Sequence, residues 1–276
     1  LGDDPEGFLN EYKFSLHPAS DDQPYFFHFF RWKTLPEVLR LHNQGGATLA
    51  EAGYLVLVAT LVQAIMASLI LILLPIWLYQ RFINPARYTT SRTRLIGYFL
   101  LLGLAFLFIE IAFIQKLLLF LHHPLYAIAV VLSSFLVFSG LGSAWFGQSK
   151  AANRGRLIAM AISGIVIIGM TYLFTLDPLL QQLKTAPDGM RILVSVIVIA
   201  PLAFCMGIPF PSGLAQLADF APGLIPWAWA INGCASVISA ILATLLAIHL
   251  GFTLVIAIAL VMYALTLWMF PVPCEE

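Results

Sequence analysis

Charge is scarce in this sequence. Fourteen Lys and Arg and fourteen Asp and Glu make up 10% of the 276 residues, against roughly 25% in a typical soluble domain. So few charged side chains cannot cover a water-soluble fold of this length, which excludes a soluble enzyme and a disordered regulator. The signs cancel to a net charge of zero, so no basic field exists to attract nucleic acid, and no nucleic-acid partner is expected. Cysteine is nearly missing: Cys205, Cys234 and Cys274 are the three present. An odd count with no close pair argues against a disulfide framework or a zinc site, so no metal is expected. Cys205 and Cys234 lie in apolar runs, where a free cysteine acts as a small hydrophobe. Strand-type alternation is absent, which excludes a β-barrel. Leu1 to Asp22 is acidic and polar, so this stretch is not expected to act as a secretory leader. With Leu rather than Met first, the sequence is expected to belong to a longer polypeptide. It has no repeat and no low-complexity run.

What it has is apolar length. Hydrophobic residues form 61% of the chain, and the mean hydropathy is +0.91. Seven runs read as membrane spans: Gly53–Tyr79, Leu95–Leu121, Leu125–Phe146, Leu157–Leu176, a fifth from Ile192 to Pro209, Pro226–Leu250 and Phe252–Phe270. At ~1.5 Å per residue each can cross a hydrocarbon core ~30 Å thick. The expected fold is an all-α polytopic transmembrane bundle of about seven spans over residues 51–276, with the lipid bilayer as its main partner.

Residues 1–50 are the one polar block. It holds the acids Asp3, Asp4, Glu6, Glu11, Asp21, Asp22 and Glu37, with Glu51 at its edge, and the bases Lys13, Arg31, Lys33 and Arg40. Its run from Pro24 to Lys33 carries six aromatics beside Arg and Lys. That suits a segment lying at headgroup level, or an apolar plug packed on the bundle. Thr34–Leu41 reads as a short helix, with Thr34 as cap and Pro36 in the first turn.

Orientation follows from the basic residues. Arg81, Arg87, Arg92, Arg94, Lys150, Arg154 and Arg156 fall at one end of the spans, and Lys116, Lys184 and Arg191 at the other. The richer end is expected to face the cytoplasm. That places the N-terminal block outside and the C-terminus inside, in a bacterial inner membrane.

Glu110 is the sharpest single residue, with apolar neighbours on every side from Phe106 to Phe113. An ionised carboxylate in hydrocarbon is costly. It therefore reads either as a proton or cation site, or as a neutral hydrogen-bonded lock between helices. Gln63, Gln115, Asn232 and Ser236 are candidate companions in a ligand pocket, with Ser133, Ser134 and Ser239 as further intramembrane polar groups. The plainer reading is that they tie helices together. Gly233, Ser236, Ala240, Ala243, Thr244 and Ala247 recur at helical spacing, which marks a close-packed helix face. Lys116, near a span end, reads as snorkelling to the interface.

Gly207, Pro209, Pro211 and Gly213 crowd into one short run. Such a run cannot continue a regular helix. It is expected to break the fifth span, packed against the second or sixth. Broken helices of this kind build transporter sites, and a helix simply ending at the interface is the plainer reading. Ser139-Gly140-Leu141-Gly142-Ser143 is not a dinucleotide motif, since no strand precedes it. The six histidines all fall at outer helix ends or in the polar block, and a haem between them is not expected.

Several strings together resemble one family. Asp21-Asp22-Gln23-Pro24-Tyr25-Phe26-Phe27 is similar to the "TDD-x-P-[YF]" segment of membrane-bound spermidine-synthase-like proteins, with Ser20 in the threonine position. Gly53–Leu57, Phe108–Gln115, Gly207–Gly213 and Ile225–Gly233 resemble the same family's C-terminal membrane half. The resemblance spans residues 20–255. It implies an aminopropyltransferase-like domain upstream, which would hold any S-adenosylmethionine-type ligand. It implies a membrane domain here that anchors and assembles, with other membrane subunits or the upstream domain as partners. A transporter-type module and an accessory subunit are the alternatives. No glycine-rich motif or catalytic acidic loop of that family falls in this sequence, so the chain alone is expected to catalyse nothing and to carry no cofactor. The Asp21-Asp22 pair reads as a turn or helix cap at the membrane surface. A polyamine-making domain belongs in the cytoplasm, so the resemblance and the base count set opposite sides for residues 1–50.

Overall fold

The computed structural model describes residues 22–24, 49–82, 92–148 and 154–271. The helices are α1 (Leu49–Ser68), α2 (Leu74–Phe82), α3 (Arg92–Leu121), α4 (Pro124–Gly147), α5 (Arg154–Gln182), α6 (Asp188–Met206), α7 (Pro209–Phe220), α8 (Ile225–Leu250) and α9 (Phe252–Trp268). No strand occurs among the described residues. In lipid a helix satisfies every backbone donor and acceptor within its own segment, so apolar runs of this length have few other options. Proline stands at the first or second position of α4, α7 and α8, where its missing N–H costs nothing. The aromatic run from Tyr25, the Thr34–Leu41 helix, and His17, His28 and His42 lie outside the described residues.

Six stretches are long and apolar enough to cross a membrane: Gly53–Leu71, Thr93–Leu121, Pro124–Gly147, Arg154–Gln182, Asp188–Phe220 and Pro222–Leu250. The seventh apolar helix, α9, has 17 residues. At ~1.5 Å per residue it is somewhat shorter than a ~30 Å core. The chain is thus a multi-pass membrane protein of the all-α class.

The bundle is built around α3. Its inward stripe runs Tyr98, Phe99, Leu102, Ala105, Phe108, Ile109, Ala112, Phe113, Leu117 and Phe120, all buried, at the three-to-four spacing that stacks side chains on one helix side. α8, α9 and α4 pack on α3, α4 also packs on α6, and α9 on α5. At the α4–α6 crossing a Cβ on Gly142 would run into the Phe204 carbonyl, and one on Gly207 into the Ser139 carbonyl. The two glycines let these backbones touch. By contrast α1 lies at the rim and leans on α8.

Two spans are not simple α-helices. Leu69–Leu73 forms a π-turn between α1 and α2, in which the Leu74 N–H bonds to the Leu69 carbonyl. Pro75 follows it. A proline removes one donor from the helical ladder, and a π-turn is one way of absorbing the mismatch. In the fifth span α6 ends at Met206 and α7 begins at Pro209. Only Gly207 and Ile208 separate them, and the Gly207 N–H still bonds to Ala203 at 3.0 Å. The irregular stretch is therefore shorter than the expected Gly207–Gly213. Pro209 restarts a helix, and Pro211 and Gly213 sit within it. The Tyr98 hydroxyl of α3 donates to the Pro209 carbonyl at 2.6 Å, buried. A Cβ on Gly213 would press on the Tyr98 and Phe99 rings.

Candidate functional site

The polar residues expected to share a pocket do not converge. Glu110 is buried, 7% exposed, on the inward side of α3. No hydrogen bond reaches its carboxyl among the described residues. Asn232 and Ser236 are on α8. The Asn232 amide donates to the Phe99 carbonyl at 3.2 Å, and the Ser236 hydroxyl to the Asn232 carbonyl at 2.9 Å. Phe99 stands eleven residues before Glu110, roughly 16 Å along the helix at its usual rise. Ser239 donates to the Leu104 carbonyl at 2.8 Å. These groups join α8 to α3 or close onto their own helix, as interhelical polar side chains do in lipid. Gln115 is half-buried and Gln63 is exposed. Ser133 bonds back to Ala129 of its own helix, and Ser134 is buried.

A different set of residues meets at one end of the bundle. Lys116 lies near the C-terminus of α3 and is 7% exposed. Its ammonium sits 2.9 and 3.0 Å from the Asp177 carboxylate oxygens, 3.2 Å from Asp22 Oδ1 and 3.2 Å from Thr253 Oγ1. Asp177 is near the end of α5, next to Pro178. Thr253 is in the first turn of α9. Asp22 precedes the first span by more than 25 residues. Three helix ends and the N-terminal segment thus share one ammonium.

Asp22 also caps a helix. Its Oδ1 accepts from the Thr253 backbone N–H at 2.8 Å and from the Thr253 hydroxyl at 2.6 Å, and its carbonyl accepts from the Phe252 N–H at 3.2 Å. The first N–H groups of a helix lack intrahelical partners, and a carboxylate there also meets the positive end of the helix dipole. Gly251 makes the approach feasible: its φ is +83°, and a Cβ there would collide with the Asp22 carboxylate. The neighbouring Gln23 side chain donates to the His249 carbonyl at 3.4 Å. His249 Nε2 in turn meets the Tyr54 hydroxyl of α1 at 3.0 Å.

Around this cluster is a cleft of about 260 Å³, lined by Asp22, Lys116, Phe120, Asp177, Gln181 and Lys184 among others. Arg191 of α6 holds the end of α3. One guanidinium nitrogen donates to the Phe120 carbonyl at 3.0 Å and another to Asp188 at 2.6 Å. A cation on the last carbonyls of α3 answers the negative end of that helix. Buried charges are tolerated when paired and hydrogen-bonded, and Lys116 meets both conditions. The arrangement is a charge clasp: two carboxylates, one ammonium and one helix N-terminus. Among the described residues no group of three or more His, Cys, Asp or Glu could hold a metal ion.

A turn or helix cap at the membrane surface was the sequence reading of the Asp21-Asp22 pair, and Asp22 caps α9. Lys116 read as a snorkelling side chain, yet it is held inside by four oxygens. Asp177 was missed. Its signal was an acid directly before Pro178 at the end of an apolar run, where few carboxylates are free of structural work. Comparison with known proteins finds no matching family model, no matching curated protein and no matching solved structure.

Proposed function

We propose that the chain is the membrane domain of a spermidine-synthase-like protein, and that it anchors and assembles by holding the segment before its first span against the bundle. The observation that carries this reading is Asp22, bound at once to Lys116 and to the first turn of α9. Asp22 belongs to the string that resembles the segment following that family's nucleotide-fold domain. A domain attached there would be tied to α3, α5 and α9 through the clasp rather than swing on a tether. Asn232, Ser236 and Ser239 support the same reading, because their hydrogen bonds go to helix carbonyls. An antibody against this chain tests the family reading on native membranes. A polypeptide larger than 30.4 kDa by a soluble domain is expected, and a band at that mass alone would overturn it.

The clasp end is proposed to face outward from a bacterial inner membrane, with Arg92, Arg94, Arg154 and Arg156 at the cytoplasmic end. The excess of bases at that end supports this side. Thr185→Cys and Gln148→Cys place a thiol at an exposed position of each end. An impermeant thiol reagent on intact cells is expected to label Thr185→Cys only. Label on Gln148→Cys only would invert the module and put the docked segment in the cytoplasm, where a polyamine-making domain belongs.

A further inference from the structure

Gln63 is the polar side chain of the first span that its own bundle does not use. It sits mid-span in Gly53–Leu71 and is exposed, and no hydrogen bond reaches its amide among the described residues. Its position is unlike that of other outward polar groups. Thr60, Ser133, Thr171 and Thr175 each donate to a carbonyl one turn back on their own helix. Back-bonding of this kind lets a hydroxyl face lipid at little cost. A glutamine amide carries two donors and an acceptor. It is too deep to reach the interface, and hydrocarbon offers it nothing.

The surface around it has a definite shape. Val56, Ala59, Thr60, Gln63 and Met66 are all exposed and recur at helical spacing, which places them on one side of α1. The share of this span buried in the bundle is 6%, the lowest of the six long spans. Small Ala59 and Thr60 stand one turn before the amide, where they let a second helix approach.

We propose that this side of α1 docks a second copy of the same chain, with Gln63 of each copy bonded to Gln63 of the other across a two-fold axis. The amide selects this partner. It is its own complement, since each NH2 can donate to the other carbonyl. A two-fold contact brings the same position of both helices together and pairs one N–H and the carbonyl of each amide with those of the other. A lipid tail meets neither half of that demand.

The test uses the full chain reconstituted in liposomes at low density. Ala59→Cys and Met66→Cys, made on a background with the three native cysteines replaced by alanine or serine, flank Gln63 on the same side. Phe174→Cys, 75% exposed on α5, is the collision control. Mild oxidation is expected to give at least fivefold more covalent dimer at positions 59 and 66 than at 174. Adding Gln63→Leu is expected to bring their yields down to the control level, while Gln63→Asn keeps most of the dimer. Gln63→Leu places an apolar side chain in lipid, so the fold should persist, and an unchanged elution volume in detergent checks it. Equal yields at all three positions would mean lipid covers this face and would overturn the proposal. So would dimer that survives Gln63→Leu.

Discussion

The second span and the first are equally apolar by sequence, yet they live in different surroundings. Of an 18-residue apolar stretch of the second span 56% is buried inside the bundle, and of the corresponding stretch of the first 6%. α3 packs against α4, α8 and α9, and its rings Phe108 and Phe113 are fully buried. α1 turns Val62, Met66 and Leu71 outward. In water such a difference would show as an amphipathic pattern. In lipid it need not, because the solvent is as apolar as the core. The contrast teaches that hydropathy finds a span and says little about what the span touches.

The comparison breaks most sharply at large core rings. Phe113→Ala should destabilise the bundle by about 3 kcal/mol, the low end of the range for such a truncation, because lipid removes part of the transfer term and leaves the cavity. Leu71→Ala, at a position 73% exposed, should stay within about 0.5 kcal/mol. Thermal unfolding in one detergent compares the two. Equal losses would mean that α1 is packed as α3 is.

Lys116→Met comes next. It leaves Asp22 and Asp177 without their cation at the end of α3. Both carboxylates are partly exposed, 34% and 49%, and water screens the loss. A cost of about 1–2 kcal/mol is expected, since hydrogen bonds to charged groups are the stronger kind. Raising salt should narrow the gap between wild type and variant. A smaller loss than that of Lys116→Met is expected for Asn232→Ala, about 0.6 kcal/mol, the mean for an interhelical hydrogen bond in a membrane protein. A loss several times larger would point to a ligand or water network at Asn232 that the Phe99 bond does not explain.

Much of the fold was legible because helix length and end signals are local. The starts expected at Leu125, Pro226 and Phe252 fall within a residue of the observed Pro124, Ile225 and Phe252. The fifth span was harder. Pro209 and Pro211 argued for a break, but proline is compatible with a helix's first turn, so the chain resumes after two residues. The site was less legible than the fold. Lys116 lies 94 residues from Asp22 and 61 from Asp177, and nothing local joins them. Asn232 and Ser236 read as intramembrane polar groups, but sequence could not show that Phe99, not Glu110, stands opposite Asn232. Gln63 was visible as a residue, and its outward direction was not, because α1 carries no polar stripe to set its rotation.

The account rests most on the N-terminal segment being docked through Asp22, and exchange at the start of α9 reads that directly. The Phe252 and Thr253 amides are among those a helix leaves without internal partners, and here they bond to Asp22 at 3.2 and 2.8 Å. Residue-resolved hydrogen exchange of the chain in lipid nanodiscs should find both protected in the wild type. In Asp22→Ala both should exchange at least tenfold faster, while amides in the middle of α9 keep their wild-type rates. Fast exchange of the two amides in the wild type, or no change on Asp22→Ala, would contradict the docking.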